Sequence, residues 1–286
     1  MEIIESRAAT VGGLGVRRAL PTRGRRTVGA WCFADHMGPL DVDDRTEPGI
    51  GPHPHTGLAT VTWLLDGELL HRDSLGSEQP IRPGQLNLMT AGGGVQHAEE
   101  GTGLTGTFEG IQLWVALPES TRHGHPAFEH HAEVPHADLG VGTASVLIGE
   151  FAGVESPARR DTELVGAELR LHGRAVLELR PDFEYALIVL RGSASVAGTP
   201  VEPGRLVYLG AGASELPLEA PNRCRAMLLG GVPFEAPVVM FWNFVGRDRA
   251  ELAQAGRDWN AGHDRYGRLG SRLARIPAPD APWPGV

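Results

Sequence analysis

Apolar positions along this chain gather in short runs rich in β-branched and aromatic residues. LATVTWLL (58–65), IQLWVAL (111–117), YALIVL (185–190) and RLVYLG (205–210) are the clearest. Their length and composition predict strands. Turn signals such as Asp66-Gly67 and Arg191-Gly192 follow several of them. With 39 Gly and 22 Pro scattered throughout, the pattern predicts many short strands joined by tight turns, an all-β barrel or sandwich.

A weak repeat is superimposed on that pattern. TVTWLLDGELLHRDSLGSEQPIRPGQLNLMTAG can be laid over YALIVLRGSASVAGTPVEPGRLVYLGAG. Each copy runs from an apolar strand through a Gly turn to a second turn, at Pro83-Gly84 or Pro203-Gly204, and ends in another apolar strand. Self-similarity of this kind predicts a duplicated unit. Two domains are therefore expected, 1–135 and 136–286, with the linker in the polar, His- and Pro-bearing stretch 130–140. Only one helix is expected. Asp248 caps it, Glu251 stands at the capping-box position, Leu252, Ala255 and Trp259 share a face, and Gly262 stops it. The closing RIPAPDAPWPGV is too proline-rich for a helix and is expected to be extended.

Composition narrows the function classes. A formal net charge of −9 argues against binding nucleic acid through its phosphates. The local exception, RRALPTRGRR, carries Arg17, Arg18, Arg23, Arg25 and Arg26 without aromatic residues to stack on bases, and reads as a solvated hairpin around Pro21. No apolar run approaches the roughly 20 residues of a membrane helix, and the acidic start MEIIESRAATVGG predicts no cleaved signal peptide. Cys32 and Cys224 stand far apart and outside any CxxC pair, which points to a reducing cytoplasm.

The chain has 12 histidines, and the chemistry is concentrated in three of them and one glutamate that stand out by spacing. His53-Pro54-His55 precedes the first strong strand, and residues i and i+2 of an extended segment face the same side. Continued parity places Ala59, Val61, Trp63 and Leu65 in the barrel interior. His97-Ala98-Glu99 repeats the spacing one hairpin later, after a Gly92-Gly93-Gly94 turn that brings it back. Together the pairs offer three imidazole nitrogens and one carboxylate, a donor set for a mononuclear iron, nickel, copper or zinc ion and not for calcium or magnesium. His123, His125, His130 and His131 form a rival cluster, read as a solvated loop. His71 falls on the same odd parity but beyond the Gly67 turn, and is a packing or outer-sphere candidate.

At these residues the sequence resembles the pirin family of bicupin proteins. The resemblance runs through FADHMGP (33–39), HPHTGLATVTWLLDGELLHRDS (53–74), IRPGQLNLMTAGGGVQHAE (81–99) and IQLWVALP (111–118), and more loosely APVVMFWNFVGRD (236–248). It implies two cupin barrels of the jelly-roll type, with one Fe(II) per chain in the first, held by His53, His55, His97 and Glu99; Mn, Ni, Cu, Co or Zn are the alternatives. It implies either quercetin 2,3-dioxygenase-type oxidation, with a flavonol-like aromatic substrate and dioxygen as partners, or an iron-dependent regulatory role with a protein partner. Glu99, the one ligand able to take a proton, is the candidate catalytic base. Two departures stand out. Ala59 replaces a residue often Glu in relatives, and Glu178 and Arg180 occupy the HxH positions of the second barrel, which is therefore expected to hold no metal.

Overall fold

The computed structural model describes residues 1–43 and 48–283. Apart from one α-helix and the 3-10 turn Asp264–Tyr266, every regular element among them is a strand. Two compact units emerge, and neither is continuous in sequence: one comprises Met1–Ala9, Arg17–His36 and His131–Phe234, the other Thr10–Val16, Met37–His130 and the chain from Glu235 on.

The repeat is visible strand for strand. Leu58–Asp66, Leu69–Asp73, Glu78–Ile81 and Leu86–Thr90 in one copy correspond to Glu184–Arg191, Ala194–Val196, Thr199–Val201 and Arg205–Gly210 in the other. The equivalent turns use glycines with positive φ, Gly67 (85°) with Gly192 (73°) and Gly84 (88°) with Gly204 (90°). A side chain would resist that conformation, so these turns keep their glycines.

In the unit built mainly from the second half, a sheet runs in the order Glu2–Glu5, Arg205–Gly210, Glu184–Arg191, Glu215–Gly231, Leu164–Glu178, Gly142–Ile148, His136–Asp138. Its inward side chains, among them Val165, Leu169, Leu187, Val189 and Leu228, form one apolar cluster. Leu177 and Leu179 belong to that cluster, whereas Glu178 and Arg180 between and after them are exposed. Arg180 is held outside by Asp182 Oδ2 at 2.7 Å and Glu163 Oε2 at 3.0 Å. The positions equivalent to the histidine pair thus face solvent, and the inward parity is occupied by leucine. Within the arginine stretch RRALPTRGRR, Arg23 and Arg26 are exposed, Arg18 donates to both carboxylate oxygens of Asp35 at 2.7 and 2.6 Å, and Arg25 lies 3.2 Å over the Tyr208 ring.

In the other unit the sheet Gly49–His55, Val95–Glu100, Leu69–Asp73, Glu78–Ile81 meets the antiparallel strands Leu86–Thr90, Leu58–Asp66 and Gly106–Ala116. Their meeting side chains correct the sequence parity. Thr62 Oγ1 lies within hydrogen-bonding distance of Glu99 Oε1 (3.3 Å) and Gln112 Oε1 (3.0 Å), and Trp114, opposite Thr60 in register, packs on His55. The even-numbered residues of Leu58–Asp66 therefore face the site, and Ala59, Val61, Trp63 and Leu65 point the other way. The physical reason is Gly57, whose φ of 71° breaks the alternation between the two strands. Ala59 accordingly does not stand beside the site.

The helix Arg249–Asn260 forms as its caps dictate. Asp248 accepts from the Glu251 amide, and Leu252, Ala255 and Trp259 are buried. Glu251 Oε2 accepts from the Arg247 amide at 3.0 Å, completing the first turn. The proline-rich tail is extended and folded back as far as residue 283, its last three positions lying outside the described residues: Trp259 Nε1 donates to Ile276 O (2.8 Å) and Asn260 exchanges two hydrogen bonds with Ala278. The Ile276 amide then donates to Pro52 O at 2.9 Å, and Gln96 Nε2 donates to Gly267 O at 2.7 Å. The C-terminal segment thereby braces both histidine-bearing strands. No helix among the described residues is long and apolar enough to cross a membrane.

Gly57 fixes how the histidine strand hands over to the next. An added Cβ would meet Val245 O at 2.0 Å in a left-handed conformation. Gly57→Ala is expected to destabilise the protein by about 1–3 kcal/mol or more and to lower its metal content. Urea unfolding and elemental analysis measure the two effects, and a wild-type unfolding curve would refute this account of the turn.

Candidate metal centre

His53 and His55 close the strand Gly49–His55, and His97 sits in Val95–Glu100 directly opposite His53. The imidazole centroids are 5.0 Å apart for His53 and His55, 4.3 Å for His53 and His97, and 4.9 Å for His55 and His97. One ligand nitrogen from each ring lies within 4.8 Å of the others. All three are buried, with exposures of 6%, 1% and 2%.

Hydrogen bonding sets which nitrogen is free. His53 Nδ1 lies 2.9 Å from Gly51 O, and His55 Nδ1 lies 3.1 Å from Asn243 O. A carbonyl can only accept, so each Nδ1 carries the proton and each Nε2 presents a lone pair. His55 Nε2 and His97 Nε2 face each other at 3.0 Å, and apart from this contact the three Nε2 atoms have no hydrogen-bond partner among the described residues. Burial pushes the imidazole of His53 down to about 4 and those of His55 and His97 well below their usual range. Neutral imidazole is the ligating form. The Nε2 lone pairs of His53 and His55 converge beside His97 Nε2 in a dry interior, an arrangement that complements a cation, so the residues fit a metal ion.

Glu99 is close but differently engaged. It is not a member of the cluster of mutually adjacent ligand atoms, and the pairing of its strand with Gly49–His55 shifts register between His97 and Glu99. Its carboxylate accepts from Thr62, and it stands opposite His71 in register. Burial raises its pKa, with the Thr62 hydrogen bond acting the other way.

Several contributors carried no recognisable sequence signal. Asn243, whose carbonyl anchors His55 from far along the chain, follows Trp242, a non-glycine residue at φ 52° in a conformation costing roughly 1–2 kcal/mol. Trp114 packs edge-on against His55 at 5.2 Å. His71, uncertain from parity, is buried beside His97 and paired with Asp73. The rival cluster divides: His123 and His125 are exposed, as a solvated loop requires, but His130 and His131 belong to the strand Ala127–His131. There His130 Nδ1 approaches Asn87 Oδ1 at 2.7 Å. The triglycine is the expected turn, with an added Cβ on Gly92 meeting Gly124 O at 2.1 Å.

A protein of paired cupin-type β units, one with a buried three-histidine cluster able to hold a metal, is the class these features define. Comparison with known proteins makes it specific. The chain matches the pirin family over residues 13–115 and the pirin C-terminal cupin domain over residues 165–265, and it belongs to the pirin family. A Pseudomonas aeruginosa protein named "Putative quercetin 2,3-dioxygenase" is 44% identical over 99% of this chain and 91% of its own length. A Caulobacter vibrioides "Pirin-like protein" is 35% identical over 91% of this chain and 93% of its own. The crystal structure of quercetin 2,3-dioxygenase from Acinetobacter baumannii superposes with a TM-score of 0.95 at 39% identity, covering 98% of this chain and 95% of that one.

One transition-metal ion per chain is expected from elemental analysis, and His97→Ala should abolish it; two ions, or full retention in the variant, would refute the site. A second expectation concerns pH in the metal-free protein. Histidines held neutral below their unfolded pKa of about 6.5 take up fewer protons folded than unfolded. Their contribution to stability is complete above that value and is lost as pH falls towards about 4, the value of His53. The raised carboxyl of Glu99 acts in the opposite sense, giving up stability as pH rises above its usual range. Urea unfolding across this window should show metal-free protein weakening as pH falls, less so in a His53→Gln variant; an identical slope in the two would refute the assignment.

Proposed function

We propose that this protein is a mononuclear iron-dependent dioxygenase of the quercetin 2,3-dioxygenase type, acting on flavonol-like substrates in the cytoplasm. The observation that carries the proposal is the convergence of three buried imidazoles in a barrel interior, those of His53 and His55 turned by backbone carbonyls so that Nε2 faces the cluster. The names of the Pseudomonas and Acinetobacter relatives support the reaction class. His53, His55 and His97 would hold Fe(II) with Glu99 as fourth donor, and a bound iron would supply redox capacity towards dioxygen.

The remaining chemistry belongs to this chain's side chains. Glu99 is the candidate base for a substrate hydroxyl, because it is the one proposed donor whose side chain can take up a proton there; burial raises its pKa. Thr62 Oγ1 orients its Oε1. Asn87 lies opposite Thr62 in register and is buried. Its Nδ2 has no hydrogen-bond partner among the described residues, which supports a role in donating to a carbonyl or hydroxyl oxygen of the substrate. Trp114 beside His55 supplies an aromatic wall suited to a planar substrate. The two cysteines are buried and not joined in a disulfide, in keeping with a reducing compartment.

The test is dioxygen uptake by iron-loaded protein over a panel of flavonols, normalised to bound iron. Glu99→Gln should bind iron more weakly and turn over roughly 10²–10⁴-fold more slowly per bound iron, the usual contribution of general-base assistance. Unchanged turnover per iron would remove Glu99 as base. No turnover in fully loaded wild type would replace the enzyme reading with the iron-dependent regulatory one.

A further inference from the structure

The three histidines are not anchored alike. His53 and His55 direct Nδ1 to backbone carbonyls, anchors that no side-chain substitution removes. His97 Nδ1 has one hydrogen-bond partner among the described residues, His71 Nδ1, at 3.5 Å. His71 Nε2 in turn lies 3.0 Å from Asp73 Oδ2. The other carboxylate oxygen of Asp73 accepts from the Leu75 and Ser77 amides at 2.9 and 3.0 Å, which fixes which oxygen meets the imidazole. Although burial pushes Asp73 upwards, the hydrogen bonds from His71 and Ser77 hold its carboxyl below the usual range. The His71 ring is clamped by Phe128, stacked at 4.4 Å with an interplanar angle of 13°. His71 and Asp73 are 4% and 2% exposed.

This chain of contacts has a definite direction. Ionised Asp73 can only accept, so His71 carries its proton on Nε2 and presents a lone pair at Nδ1. That lone pair can only receive the Nδ1 proton of His97. His97 is left with a bare Nε2, the atom that faces His55 Nε2 at 3.0 Å. We propose that Asp73 and His71 are positioning residues that hold His97 in its ligating tautomer and thereby set the metal affinity of the site. Neither touches the three-nitrogen cluster through its own ligand atoms. The pair occupies the role that outer hydrogen-bond partners of histidine ligands fill generally, where substitution weakens metal binding about 10–100-fold.

The chemistry of Asp73→Asn makes the proposal sharp. The Leu75 and Ser77 amides require an acceptor, so the new amide keeps its oxygen there and turns its NH₂ towards His71 Nε2. His71 must then accept at Nε2 and carry its proton on Nδ1, which it donates to His97 Nδ1. The His97 proton is driven to Nε2, and the ligand lone pair is lost.

The proposal rests on the metal reading above, and its test separates the two. Nitrogen-15 NMR of the metal-free protein assigns the His97 tautomer, and titration with Co(II) against a chromophoric chelator gives affinity. Wild type should show protonated Nδ1 on His97. Asp73→Asn should show protonated Nε2 and bind Co(II) about 10–100-fold more weakly, with an unchanged unfolding transition. His71→Gln, whose amide oxygen can accept from His97 Nδ1, should retain more affinity than His71→Phe, which cannot; this comparison stands even if Asp73→Asn fails to fold. The same His97 tautomer in Asp73→Asn, or equal Co(II) affinity in the two His71 variants, would overturn the proposal. Wild type without Co(II) binding would defeat the metal reading, while the tautomer measurement would still decide the relay.

Discussion

Three imidazoles brought together in a dry interior must all be neutral, and all must turn the same nitrogen inward. Burial meets the first condition by itself, since desolvation disfavours imidazolium and pushes His53, His55 and His97 down. The second condition is directional. Each ring needs an acceptor on its outer side, and the acceptors come from Gly51, two residues away, from Asn243, and from His71. The fold around the site is arranged to deliver those three atoms.

This requirement gives the C-terminal segment its place. The turn through Trp242 and Asn243, the helix Arg249–Asn260 and the extended tail pack as one apolar cluster around Phe244, Trp259 and Tyr266. From that base the segment presents the Asn243 carbonyl to His55 and hydrogen-bonds the strands carrying the histidines at Pro52 and Gln96. The left-handed backbone of Trp242 is strain held in place by that packing. A segment with no ligand of its own therefore controls the tautomer of one.

The other barrel shows what the same repeat becomes when this constraint is absent. Its turns and strand order parallel the first, but Leu177 and Leu179 take the inward parity and the interior closes as an apolar core. Glu178 and Arg180 remain outside, where ion pairing in water contributes little. A shift of one residue in parity, with leucine in place of histidine, separates a candidate metal site from a packed interior.

The sequence by itself determined the all-β class, the duplication, the single capped helix, and the approach of His53, His55 and His97. Each of these rests on local chemistry: strand propensity, glycine turns, cap geometry and two-residue parity are written in neighbouring positions. The interior face of Leu58–Asp66 was not legible, because the conformation at Gly57 decides it and a glycine in sequence does not state its φ. Nor did the sequence show that the Glu99 carboxylate engages Thr62, or that His130 lies on a strand against Asn87. The anchor of His55 was equally hidden, and His71, singled out in sequence as a packing or outer-sphere candidate, gave no sign that its partner is His97. These two contacts join residues 188 and 26 positions apart, and hydrogen bonds over such separations exist only after the strands have paired and the tail has folded back, which is why only the tertiary structure decided them.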